Sequence, residues 1–175
     1  MLEVQDGTRG EVLGAGRLGV SYAESTTVPG EKSKAELDRM LSAADAARRF
    51  MGADDDRGVA FVVFEIVGRQ VRIEVPLPKP ADFAPKAGAT YRTRTREHQQ
   101  KAWEQGCRAR WRALVLLIKA KLEAISLGLS TPEREFLADI FLPNGQRIHD
   151  ALKEGIARAY IDGKMPPLLG EGAAA

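Results

Sequence analysis

Apolar and polar positions alternate with a period of two from Val59 to Leu77, the clearest pattern in the chain. Ala60, Val62, Phe64 and Ile66 share one parity in the first arm, and Val71, Ile73, Val75 and Leu77 do so in the second. Gly68-Arg69 between them is a two-residue turn with glycine first, as a type II′ hairpin requires. The pattern predicts a hairpin over 59–77, with Ile66 opposite Val71, Glu65 opposite Arg72 and Phe64 opposite Ile73. Glu65 and Arg72 then form a charge pair on the second face, beside Phe61 and Val63. Either another element covers that second face, or it is a binding surface.

A period of three to four residues marks the helices. Trp103, Cys107, Arg110 or Trp111, Leu114, Ile118, Leu122 and Ile125 predict a long helix from about Arg96 to Leu127. Both tryptophans read as core residues. Ser33-Lys-Ala-Glu36 has the form of a capping box, so a helix is expected after Ser33, continuing through Leu37, Met40 and Leu41 to about Phe50. Ser130-Thr131-Pro132-Glu133 predicts another helix start. The final helix is expected over about Arg147 to Ile161, carrying Ile148, Leu152, Ile156 and Tyr160 on one face. Residues 20–28 are rich in β-formers and predict an N-terminal strand. Pro76, Pro78, Pro80 and Pro85 predict a stiff extended connector. These elements amount to an α+β fold, a small antiparallel sheet of the hairpin and the N-terminal strand packed on a long central helix. Residues 1–19 read as a flexible leader, 20–169 as a single domain and 170–175 as a frayed tail.

Charge changes the picture more than composition does. The chain has 175 residues with a net charge of only +2. Residues 86–121 nevertheless hold ten basic and two acidic side chains, while the stretches on either side are each net acidic by three. Such an excess is a footprint for phosphate. Its candidate contacts are Arg92, Arg94, Arg96, Lys101, Arg108, Arg110, Arg112 and Lys119, with Arg72 added from the second face of the hairpin. No helix-turn-helix signature, RNP sequence or zinc finger accompanies them.

Other chemistry finds little support. Cys107 is the single cysteine, which excludes an intrachain disulfide and suits a cytoplasmic protein. It reads as a small buried residue, although Arg108 and Arg110 would favour its thiolate if they faced it. His98 and His149 stand alone, so no zinc set is expected, and no cofactor or metal is expected. Gly14-Ala-Gly16-Arg-Leu-Gly19 matches a dinucleotide fingerprint without the strand and helix that would give it meaning. Asp54, Asp55 and Asp56 lack the alternate spacing of a calcium loop. Glu65, Glu74, Glu133 and Glu135 cannot be assembled with a nucleophile or base, so an enzyme is the least supported reading. No apolar run approaches the roughly 20 residues of a bilayer span, so no membrane partner is expected.

Three stretches carry a resemblance: Ser25-Thr-Thr-Val-Pro29 through Ser33, Arg110-Trp-Arg-Ala113 through Ala124, and Pro166-Pro-Leu-Leu169. With the hairpin they make the chain similar, over roughly 21–169, to a group of small uncharacterised proteins of bacteria, phages and prophages. The resemblance implies phage or mobile-element biology and brings no activity or site residues with it. It also implies a start at Val20 rather than Met1. Two functional readings lead. One is a nucleic-acid-binding accessory protein holding the phosphate backbone through 86–121. The other is a protein-interaction module, an inhibitor or assembly factor, using the long helix and the hairpin face. A homodimer through the long helix is compatible with both.

Overall fold

The computed structural model describes residues 23, 25–84 and 96–163. The leader, the Gly14–Gly19 motif, most of the basic lead-in (86–95) and the tail lie outside these residues. The fold is α+β. Its elements are α1 (Gly30–Ala43), β1 (Ala47–Asp54), β2 (Val59–Ile66), β3 (Arg69–Pro76), α2 (Arg96–Ser126), α3 (Pro132–Phe136) and α4 (Ile148–Asp162). The strands form one antiparallel meander in the order β1-β2-β3.

The parity of the hairpin is as expected, but its turn and register are not. The turn is Val67-Gly68, both at positive φ (49° and 66°), which is the type I′ signature rather than II′. Phe64 therefore faces Val71, Val62 faces Ile73, Val63 faces Arg72 and Glu65 faces Gln70. The register is displaced by two residues. A displacement of two keeps every side chain on its face, so the core assignment survives while the pairing changes. Glu65 turns instead to Arg48, at 2.9 Å, and Arg72 to Glu74, at 2.8 Å.

The third strand comes from residues read as helix. α1 stops at Ala43, Asp45 takes a left-handed conformation at φ 56°, and the Ala46 N–H donates to the Leu41 carbonyl. Aspartate tolerates that conformation better than most residues. The chain then enters β1 and pairs along β2, with a bulge between Ala47 and Phe50. Of the expected N-terminal strand (20–28), residues 25–28 are not a strand and residues 20–22 and 24 lie outside the described residues; the third strand of the sheet is β1. The capping box also dissolves. α1 begins at Gly30, Ser33 is fully buried with its Oγ unpartnered, and Glu36 pairs with Arg112 at 2.6 Å.

The core lies between the inner sheet face and the helices. Ala60, Val62, Phe64, Ile66, Val71 and Ile73 meet Leu37 and Leu41 of α1, and Trp111, Leu114, Val115 and Ile118 of α2. Phe136 of α3 packs edge-on against Phe64, with centroids 5.2 Å apart at 82°. The proline connector contains a short 3-10 turn, Pro80–Phe83, seated on α2. Trp103 Nε1 donates to the Pro78 carbonyl at 2.8 Å. A Cβ on Gly106 would stand 2.9 Å from both Phe83 Cζ and Pro78 Cγ, which explains a glycine inside a helix. After α3, the Leu137–Asp139 turn leads to Ile140, which bridges Val71, so the free edge of β3 is partly covered.

Candidate nucleic-acid interface

The pleat sends alternate side chains to the face opposite the core. Phe50 from β1, Phe61 and Val63 from β2, and Arg72 and Glu74 from β3 occupy this outer face. No described helix packs across it, and Phe50 is 62% exposed. The end of the Phe61 ring lies over Gly52, where a Cβ would come within 3.0 Å of Cζ. Glycine in the edge strand therefore lets the ring lie low, and the ring in turn covers the glycine backbone. Phe50 stands beside it, with centroids 5.8 Å apart and planes at 38°. The Arg72 guanidinium is 4.7 Å from the centroid of Phe61, within cation–π range.

One corner of this face is a charge cluster. Arg57, in the β1–β2 turn, donates to both oxygens of Glu74 at 2.9 and 3.0 Å. Arg72 Nε lies 2.8 Å from Glu74 Oε1, but its N–H is not directed at that oxygen. Arg147, the residue capping α4, approaches Glu74 to 3.6 Å and donates to Asp150 at 2.8 Å. Burial pushes the Glu74 carboxyl upward. The hydrogen bonds from Arg57 and the charges of Arg72, Arg57 and Arg147 outweigh it, and the net shift is downward. Glu74 is thus held ionised, which does not suit it to act as a general acid.

The residues expected from the basic segment do not form one patch. Arg92 and Arg94 lie outside the described residues. Arg96, Lys101, Arg110 and Lys119 are exposed on α2. Arg108 donates twice to Gln105 Oε1, and Arg112 is engaged with Glu36. Lys121 donates to the Glu135 carbonyl and sits 5.5 Å from the Phe136 ring centroid. At about 100° per residue, Lys101, Arg108, Arg112 and Lys119 share the flank of α2 that faces α1. Arg96, Arg110 and Lys121 fall on the other flank. Because α2 packs on the inner face, the sheet separates all of them from Arg72.

Cys107 is half-buried. Burial pushes its thiol up, and Arg108 only partly offsets this, so the site favours the thiol over the thiolate. His149 is exposed on α4. Asp54 Oδ1 accepts from the Arg57 N–H at 2.9 Å, so it shapes the turn. Among the described residues no group of His, Cys, Asp and Glu fits a metal ion, and no helix is long and apolar enough to cross a membrane.

Arg48, Phe50, Arg57 and Arg147 were not visible as site residues in the sequence. Residues 50–54 (Phe-Met-Gly-Ala-Asp) carry no polar–apolar alternation that would have pointed to them. No known protein family, curated protein or solved structure matches this chain.

Proposed function

We propose that the protein is a nucleic-acid-binding accessory protein that takes a single strand on the outer face of its sheet. The observation that supports this reading is the Phe50–Phe61 pair on a face that no described helix crosses, with Arg72 4.7 Å from the Phe61 ring. Aromatic rings on an open sheet stack on bases of any sequence, each stack contributing about 1–3 kcal/mol, and neighbouring arginines hold the backbone. Phe50 is the exposed ring and suits one base, while the Arg72 guanidinium lies over the Phe61 ring. The exposed cations of α2 (Lys101, Arg110 and Lys119) add a sequence-independent attraction for phosphate. A role in phage or mobile-element biology is part of this proposal and is supported only by the resemblance of the sequence.

The test is fluorescence anisotropy with labelled single- and double-stranded oligonucleotides, from roughly 50 to 200 mM salt. Preference for the single strand, with affinity falling as salt rises, is expected. Absence of binding to either at the lowest salt refutes the reading. A second reading, a protein-interaction module, draws support from α4. That helix has no buried residue, and Tyr160 and Ile161 are 90% and 81% exposed. An apolar groove of about 530 Å³ between Met40, Ala43, Ile66, Val67, Leu122 and Ile125 is a second open surface among the described residues. Retained oligonucleotide binding after Tyr160→Glu separates the two readings.

A further inference from the structure

We infer that the corner where Arg57, Arg72 and Arg147 converge on Glu74 is the phosphate subsite of the sheet face, and that Glu74 holds in the free protein the place a backbone phosphate takes in the complex. The inference rests on the platform reading above and names the group that would hold the backbone.

Three guanidinium groups from three separate parts of the chain reach one carboxylate whose side chain is 11% exposed. A carboxylate offers two oxygens, whereas each guanidinium carries five N–H donors. Arg57 already uses both oxygens. Arg72 is left with its Nε–H unsatisfied beside Glu74, and Arg147 stays at 3.6 Å and spends its Nε on Asp150. Glu74 by itself is therefore short of acceptor oxygens for its three guanidinium groups, although Asp54 also attracts Arg57, and Asp139 and Asp150 attract Arg147. A phosphodiester has the same bidentate match to guanidinium as a carboxylate.

Position completes the argument. Arg72 lies against Phe61, so the backbone of a strand stacked on this face passes within reach of its fork. Arg57 is 53% exposed and sits on a turn, so it can follow an incoming phosphate without disturbing the strands. Glu74 then plays two parts. It holds the guanidinium groups together while the site is empty, and it competes with phosphate for them when a strand arrives.

The test is the slope of log affinity against log salt for a labelled single-stranded oligonucleotide. Each phosphate contact contributes about 0.7 to that slope on a single strand. Arg57→Gln and Arg72→Gln are each expected to lower its magnitude by about 0.7 and to weaken binding several-fold. Glu74→Gln keeps the shape and removes the competing charge, so it is expected to tighten binding and steepen the slope. Thermal melts confirm that each variant is folded, and Arg57→Gln alone decides the matter if changes at Arg72 or Glu74 unfold the chain. An unchanged slope in Arg57→Gln, or weaker binding by a folded Glu74→Gln, overturns the subsite. If the wild type binds no oligonucleotide, the platform reading itself has failed. If binding is lost in Phe50→Ala but the slopes of the charge variants do not move, only the subsite has failed.

Discussion

Phe50 offers a perturbation whose effects on stability and on binding separate cleanly. Its ring is 62% exposed, so roughly two-fifths of it is covered. Fully burying a phenylalanine contributes about 1.5–3 kcal/mol, and two-fifths of that is roughly 0.6–1.2 kcal/mol. The tilted contact with Phe61 at 5.8 Å adds about 0.5 kcal/mol at most. Phe50→Ala should therefore cost about 1 kcal/mol and lower Tm by about 2–4 °C for a chain of this length. Loss of one base stack costs about 1–3 kcal/mol, which is roughly 5- to 150-fold in Kd. No charge changes, so the salt slope should stay as in the wild type. Phe50→Leu sharpens the test, because it restores most of the apolar area without the π face. It should melt close to the wild type yet bind like the alanine variant. A thermal melt and an anisotropy titration at about 50 mM salt supply both readouts. If both variants bind the oligonucleotide as the wild type does, the outer face of the sheet is not the platform.

Two further expectations concern the frame that holds this face. Val67 has φ 49°, a conformation costing about 1–2 kcal/mol for a side chain with a branched Cβ, and it is largely exposed. Val67→Asn supplies the residue that a type I′ turn prefers and should raise Tm by about 2–4 °C, whereas an unchanged or lower Tm would contradict the strain. The Asp139 carboxyl is pushed upward by burial, more than Lys121, Arg147 and His149 offset. A carboxyl with a raised folded pKa penalises the fold once pH exceeds its unfolded value, near 4. Asp139→Asn should therefore stabilise at pH 7, with the advantage vanishing near pH 3, and urea melts at the two pH values that show equal gains would contradict this.

The hairpin shows what kind of information a sequence carries. Parity is written in every second residue from Val59 to Val75, and the buried face follows it directly. The turn was obscured because a valine sits where asparagine or glycine is expected, which moved the apparent turn one residue along and the register by two. β1 was illegible for another reason. Ala-Ala-Arg-Arg-Phe is composed largely of good helix formers, and an edge strand with one exposed face has little alternation to show. Only pairing with β2 decides its state, and propensity yields to such tertiary contacts. The long helix was legible because its stripe from Trp103 to Ile125 runs through about six turns, while the burial of Ser33 was not, since its local pattern imitates a cap.

The charge profile misled in a more instructive way. The basic excess of 86–121 is a fact about the chain, but helix geometry divides it between two flanks of α2, and Glu36 and Glu135 engage part of it. The arginines that converge in space (Arg57, Arg72 and Arg147) come from the two stretches with net acidic charge. Sequence charge is a sum over neighbours along the chain, whereas a ligand meets neighbours in space. The cations of α2 lie at least one layer away from the outer face, on the order of 10 Å. That is about one Debye length at physiological salt, so most of their pull on a ligand at that face is screened. If the proposed strand binds there, their contribution would be steering at low ionic strength, felt in the association rate. On the proposed platform, contacts at the sheet face would instead set the lifetime of the complex, and the stripe that dominates the sequence would be the smaller determinant of how long a strand stays.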